Sequence, residues 1–275
     1  MVGNLKGFTL SDASFVLDNM PEYGFEAGGN LTYTSSGATS IDMVANGELA
    51  SLAYLVNWID MDVGDFGRAQ SNIRLSGSLD KPVIEQFRLI TSNEAGLTVT
   101  MSGQLNLYED AENSSGGTNA IFLDLQGPSL AVLEHWTGEL PYETGQWRAS
   151  AQLTGTPEKL SLQNMLLETG VPGAMEMHLS GTVGQISPGS TPQAPYTISK
   201  IQLALNAHAP NSALLGPVLG REDIPADHAV SATLSLSGTS EILELREGAV
   251  NISTNNLLVT ISPITATVRP SADVP

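Results

Sequence analysis

Four histidines, His135, His178, His208 and His228, could in principle hold a metal or move a proton near neutral pH. They are dispersed along the chain, with no partner four residues away and no H-E-x-x-H context. His178 falls on the polar side of an alternating stretch, where a solvated imidazole accounts for it. The run "DMDVGDFG" sets Asp60, Asp62 and Asp65 at spacings that faintly suggest a calcium loop. Such a loop needs an oxygen ligand at its fifth position, glycine at the sixth and glutamate at the twelfth. Gly64 and Asp65 occupy the fifth and sixth here, and no Glu follows at the twelfth. A solvated acidic turn is the better account. Two distant carboxylates could hydrolyse a glycosidic bond, but the acids here sit mostly in turns or on wet strand faces. G-x-S-x-G, P-loop and G-x-G-x-x-G signatures are all missing. The expectation is a chain that is not an enzyme and carries no metal or cofactor.

Composition narrows the partners. Eleven Lys and Arg against 29 Asp and Glu give a net charge of −18. Such a charge opposes binding to nucleic-acid phosphates and flat adhesion to an anionic membrane. Cysteine is absent, which excludes disulfides and thiolate chemistry and suits an oxidising compartment. No run approaches the ~18 apolar residues of a membrane-spanning helix. The N-terminus lacks the basic and apolar regions of a secretory signal. The sequence starts mid-pattern and stops at a proline-bearing tail, which suggests a fragment of a longer chain.

The more informative residues are apolar. "LTVTMSGQLNL" alternates apolar and polar, so Leu97, Val99, Met101, Leu105 and Leu107 share one face of a strand. Met175, Met177, Leu179 and Val183 repeat this, as do Leu203 with Leu205 and Val259 with Ile261. Pro263 marks a bulge or an edge after the last pair. Aromatics are only 5% of the chain, thin filling for one large closed core.

The elements that position these residues recur. "IRLSGSLDKPVIEQFRLIT" from Ile73, "AQLTGTPEKLSLQNMLLET" from Ala151 and "LSLSGTSEILELREGAVNI" from Leu234 each read strand, Ser/Thr-Gly, polar turn, strand. A strand and a short apolar stretch precede each phrase, and an alternating strand follows it. The organisation expected is closing strands of a preceding copy at 1–40, repeat units at 41–110, 120–187 and 196–269, and a tail at 270–275. Polar loops at 109–119 and 187–195 mark the boundaries. One short helix per unit is expected, with Leu52 and Trp58 on the first and Leu130, Leu133 and Trp136 on the second. Helices so short need a surface, and the apolar sheet face supplies one. Trp58 and Trp136, near the ends of these stretches, then anchor each helix to the sheet, or alternatively gate one end of a groove; Trp147 is the third tryptophan.

The segment "FLDLQGPSLAVLEHWTGELPYETGQWRASAQLTGTPEKLSLQNMLLETGVPGAMEMHLSGTV" resembles the repeating module of AsmA-like proteins, relatives of the translocation and assembly module TamB. It has their order of strand, "GP-x-L-x-x-L" short helix, "LP" turn and "L-x-G" hairpin strands. The resemblance covers most of 41–268. It implies a periplasmic protein tied to the inner membrane by an anchor absent from this chain. It also implies long curled β-sheets whose hydrophobic groove passes phospholipids between membranes.

The expected fold is therefore all-β: a repeat-built, curled antiparallel sheet with an open hydrophobic groove, or alternatively a β-sandwich array. In the first case the apolar residues above line a lane that shields phospholipid acyl chains, and neighbouring repeats of a longer chain are the other partners. Two rival functions are a structural or adhesive spacer without lipid, and a carbohydrate-binding β-protein.

Overall fold

Alternation along the chain resolves into fourteen strands. The computed structural model describes residues 7–19, 23–34, 39–51, 66–106, 119–133, 145–156, 159–170, 175–191, 194–215, 224, 226–254 and 257–268. The strands are β1 (Gly7–Asn19), β2 (Tyr23–Thr34), β3 (Thr39–Leu49), β4 (Arg68–Gly77), β5 (Pro82–Ser92), β6 (Thr98–Asn106) and β7 (Asn119–Gly127). They continue as β8 (Trp147–Thr156), β9 (Lys159–Gly170), β10 (Glu176–Thr191), β11 (Ala194–Ala209), β12 (Ala229–Gly238), β13 (Leu243–Ser253) and β14 (Leu258–Val268). All belong to one open antiparallel sheet in sequence order, with β1 and β14 as its edges. The strands therefore do not divide into the two stacked sheets of a sandwich. Contacts separate two compact units, Met1–Leu123 and Asp124–Pro275, the division falling inside β7.

The repeated phrases are hairpins, β4–β5, β8–β9 and β12–β13, and their shared glycines have a physical cause. Gly77, Gly155 and Gly238 take φ values of 100°, 114° and 144° where each hairpin opens, conformations that L side chains avoid. The strand after each turn is bulged. Register shifts opposite β5 between Ile84 and Gln86, and Asn164 and Glu247 have positive φ in β9 and β13. Asp12 has the same conformation in β1, beside that strand's own register shift. Each such residue is an extra one in its strand, so apolar side chains on both sides of it keep to one face.

Two expectations need correction. The helix expected in each unit is, where described, a single 3-10 turn of four residues, Leu130–Leu133 and Ser212–Leu215. Ser129 Oγ and Asn211 Oδ1 accept the second free N–H beyond them, from Ala131 and Ala213. The first unit's stretch, with Leu52 and Trp58, lies outside the described residues. The Gly/Pro-rich 187–195 is not a boundary loop but the far end of the β10–β11 hairpin. Its pairing runs on to Thr191 and Ala194. Among the described residues no helix is long and apolar enough to cross a membrane.

The core lies on one face. Among the described residues the buried hydrophobic side chains are Ala27, Ile41, Ala45, Ala69, Phe87, Leu97, Val99, Trp147, Val183 and Ala209. Leu97 precedes β6, and the other nine all fall on the same face of their unit, as the register below establishes.

Candidate functional site

Residues directly opposite in an antiparallel pair point to the same side, so the register assigns faces. In the first unit Ala69, Thr91 and Val99 form one row, Leu89 and Met101 another, Ile73, Phe87 and Gly103 a third, and Leu75, Ile84 and Leu105 a fourth. Met43, Gly29 and Ala13 carry the Leu75 row onward to β1. In the second unit Leu167, Leu179, Leu205 and Leu234 stand in one row, and Met165, Gly181, Leu203, Leu236 and Leu245 in the next. Val259 pairs with Ile252 and Ile261 with Val250 on the same side. No Asp, Glu, Lys or Arg stands in any of these rows. Each unit thus has one wholly uncharged face.

The expected lining residues separate into two sets. Val99, Met101 and Leu105 share the apolar face of the first unit; Met177, Leu179, Val183, Leu203, Leu205, Val259 and Ile261 share that of the second. Met175 sits half-buried just before β10. Leu107, Trp136, His135 and the acidic stretch 60–65 lie outside the described residues. Leu97 and Val99 retain only 1% and 7% exposure, so they are packed rather than open to a guest. Val259 and Ile261, on the edge strand, remain 40% and 52% exposed.

Burial follows position along each strand. At one end of the face described residues of the connections between strands lie against the sheet. Thr91 Oγ1 donates to the Phe66 carbonyl, and Ala69 beside it is buried. In the second unit Trp147 Nε1 donates to the Ser129 carbonyl at 2.9 Å, which fastens the 3-10 turn over Gly127. Ala209 and Ser212 close the matching end near β12. Trp147, the one tryptophan among the described residues, anchors that turn, and Leu130 and Leu133 lie half-buried on it. Away from these ends Met101, Leu105, Met177, Leu179, Leu203 and Leu205 are only half-buried.

One part of the apolar surface has no counterpart in the sequence-derived lining. Phe8, Leu10, Phe15 and Leu17 of β1, with Phe25 and Tyr33 of β2, are all exposed on the apolar face. Phe8 stacks on Tyr33 with ring centroids 5.6 Å apart, and Phe15 tilts against Phe25 at 6.2 Å. The alternation there is broken by the extra residue Asp12. Reading it with one position skipped brings Phe8 and Leu10 onto the face of Ala13, Phe15 and Leu17.

The opposite face carries the charged side chains, several of them in ion pairs. Asp42 and Glu85 flank Arg74 at 3.3 Å each, and Glu48 holds Arg68 at 2.8 Å. In the second unit Asp124, Arg148, Glu168, His178 and Asn206 form a ladder. The hydrogen bond and charge of Asp124 raise the Arg148 guanidinium above its ordinary value, and burial opposes this slightly. His178 Nδ1 lies 3.2 Å from Glu168, and His228 Nδ1 lies 2.6 Å from Asp227. Among the described residues no three His, Asp or Glu side chains converge as a metal site. Comparison with protein-family models, curated proteins and solved structures finds no match to this chain.

Proposed function

We propose that the apolar face of each unit shields lipid acyl chains, so that the chain acts as a passive carrier segment rather than an enzyme. One observation carries this reading. Six large apolar side chains on the paired strands β1 and β2 stand exposed on a single uncharged face. Contiguous exposed apolar surface is uncommon unless something binds it. Each acyl methylene removed from water gains roughly 0.8 kcal/mol, so a tail can be held with no polar contact. Half-buried leucines and methionines adapt to a flexible chain, and the charged opposite face keeps the sheet wetted. The chemistry of this reading comes from the sheet. Its setting, the periplasm of a bacterial envelope, rests on the AsmA-like resemblance.

Native mass spectrometry tests it, on the purified chain and after incubation with dimyristoyl-phosphatidylcholine. Phospholipid adducts are expected. Met101→Glu and Leu205→Glu, on the apolar faces, should remove them, whereas Ser102→Glu and Asn206→Glu, on the polar faces, should not. A bare protein mass under both conditions would refute the reading, and so would adducts equally sensitive to either face.

A further inference from the structure

The first unit carries a concavity of about 500 Å³ lined mainly by residues of the face that the lipid reading leaves unused, together with Leu17, Phe25, Gly47 and Ser71 of the row that runs between them. Its floor is made by strands alone. Glu26, Asn46, Asn72 and Arg88 stand directly opposite one another across β2, β3, β4 and β5. Gly24, Glu48, Gln70 and Ile90 form the adjoining row in the same register. Gly24 lacks a side chain and so deepens the dish, while Val16 and Ile90 give it apolar borders. Residues on paired strands are held more precisely than residues on loops.

The polar groups are only partly used. Asn72 Nδ2 donates to Asn46 Oδ1 at 2.6 Å, and Gln70 Nε2 donates to Glu48 Oε1 at 3.2 Å. These bonds leave the Asn46 amide N–H groups, the Asn72 carbonyl and the Gln70 carbonyl without partners among the described residues. Arg88 and Glu26 have no ion pair among the described residues either. The floor therefore offers donors and acceptors side by side. Its charges cancel: Glu26 and Glu48 against Arg88 and the Arg68 that pairs with Glu48.

We propose that this dish binds a neutral oligosaccharide. A phosphate or carboxylate would meet two carboxylates, and a cation would meet two guanidiniums. An apolar guest would strip water from amides it could not satisfy, at about 1–3 kcal/mol for each group. A sugar hydroxyl both donates and accepts, so it satisfies either kind of group. Neighbouring strands repeat these planar forks about 4.8 Å apart, a spacing on the scale of hydroxyls along a glycan. The apolar borders meet C–H edges of the sugar rings. No aromatic ring stands in either row of the floor, so affinity is modest, with a dissociation constant on the order of 1 mM.

The test is a titration of the intact chain with chitotriose and with maltotriose, followed by the side-chain amide resonances of Asn46, Gln70 and Asn72. Saturable shifts at these amides with at least one sugar are expected. They should vanish in Arg88→Leu/Asn72→Leu, two exposed positions, while backbone amide shifts elsewhere confirm the fold. They should persist in Met101→Glu, which separates this site from lipid binding on the other face. Absence of saturable shifts with both sugars would overturn the proposal. So would equal shifts in the double variant, or equal shifts with inorganic phosphate, which would mark an anion site.

Discussion

Leu179 and Leu205 stand directly opposite each other across β10 and β11, and Leu167 and Leu234 extend the pair to four strands. All four leucines are only half-buried. In a two-layer protein a row like this would be the sealed centre. Here the leucines gain contact from their neighbours in the row and little from above.

The missing contact fixes a magnitude. Leu205→Ala is expected to cost about 1–2 kcal/mol, below the roughly 2–5 kcal/mol typical of a closed core. Urea unfolding measures it. A loss of about 4 kcal/mol or more would mean that side chains from another layer already cover the row.

Gly181 occupies the position between Leu179 and Val183 where alternation calls for an apolar side chain. Its φ is +151°, and a Cβ there would collide with the Gln202 carbonyl of β11. The backbone conformation alone costs an alanine about 1–3 kcal/mol, and the collision adds to it. Gly181→Ala should therefore destabilise the second unit more than Leu205→Ala does, although it removes no contact. Gly184→Ala faces instead the Lys200 side chain and serves as a comparison. Hydrogen exchange should show protection falling first at the β10–β11 amides.

Much of this arrangement was legible in the sequence, and the failures have particular causes. Period-two alternation assigns Met177, Leu179, Leu203 and Leu205 to one face without any structure, because a strand has only two faces. The Ser/Thr-Gly repeats mark hairpins because only glycine fits those φ values easily. Alternation cannot, however, count an extra residue. Asp12 shifts the register within β1, so strict alternation puts Phe8 and Leu10 on the face opposite Phe15 and Leu17. Composition misled at 187–195, where strand pairing overrides Gly/Pro content. It also misled at Leu130–Leu133, where a proline and spaced leucines suggest an α-helix and the described residues form a 3-10 turn. The polar dish was invisible for another reason: its residues come from four strands and have no local spacing in common.

Trp147 is 3% exposed and ties β8 to the Ser129 carbonyl. Trp147→Ala should cost about 3–5 kcal/mol, the range of a sealed site and well above that for Leu205. Trp147→Phe keeps most of the packing and loses the indole donor, so about 1 kcal/mol is expected. Thermal unfolding of the two variants separates packing from hydrogen bonding. A cost for Trp147→Ala as small as that for Leu205→Ala would show that the turn does not seal this end of the face.

Arg148 and Asp124 are bonded across β7 and β8 on the polar face, and the pair raises the arginine above its ordinary value. A cation whose folded-state pKa is raised gives its full contribution below the ordinary arginine value and loses it only as pH climbs through the higher folded value. Loss of the arginine proton therefore adds no pH dependence between mild acid and mild alkali. The pair is also solvent-exposed, and salt screens such pairs. Arg148→Met should leave the urea midpoint near that of the parent at high salt and only slightly lower at low salt. Its difference from the parent should stay flat between pH 6 and pH 9, roughly two units or more from the arginine and carboxylate ranges. A difference that grows across that interval would mean that another titrating group depends on the arginine.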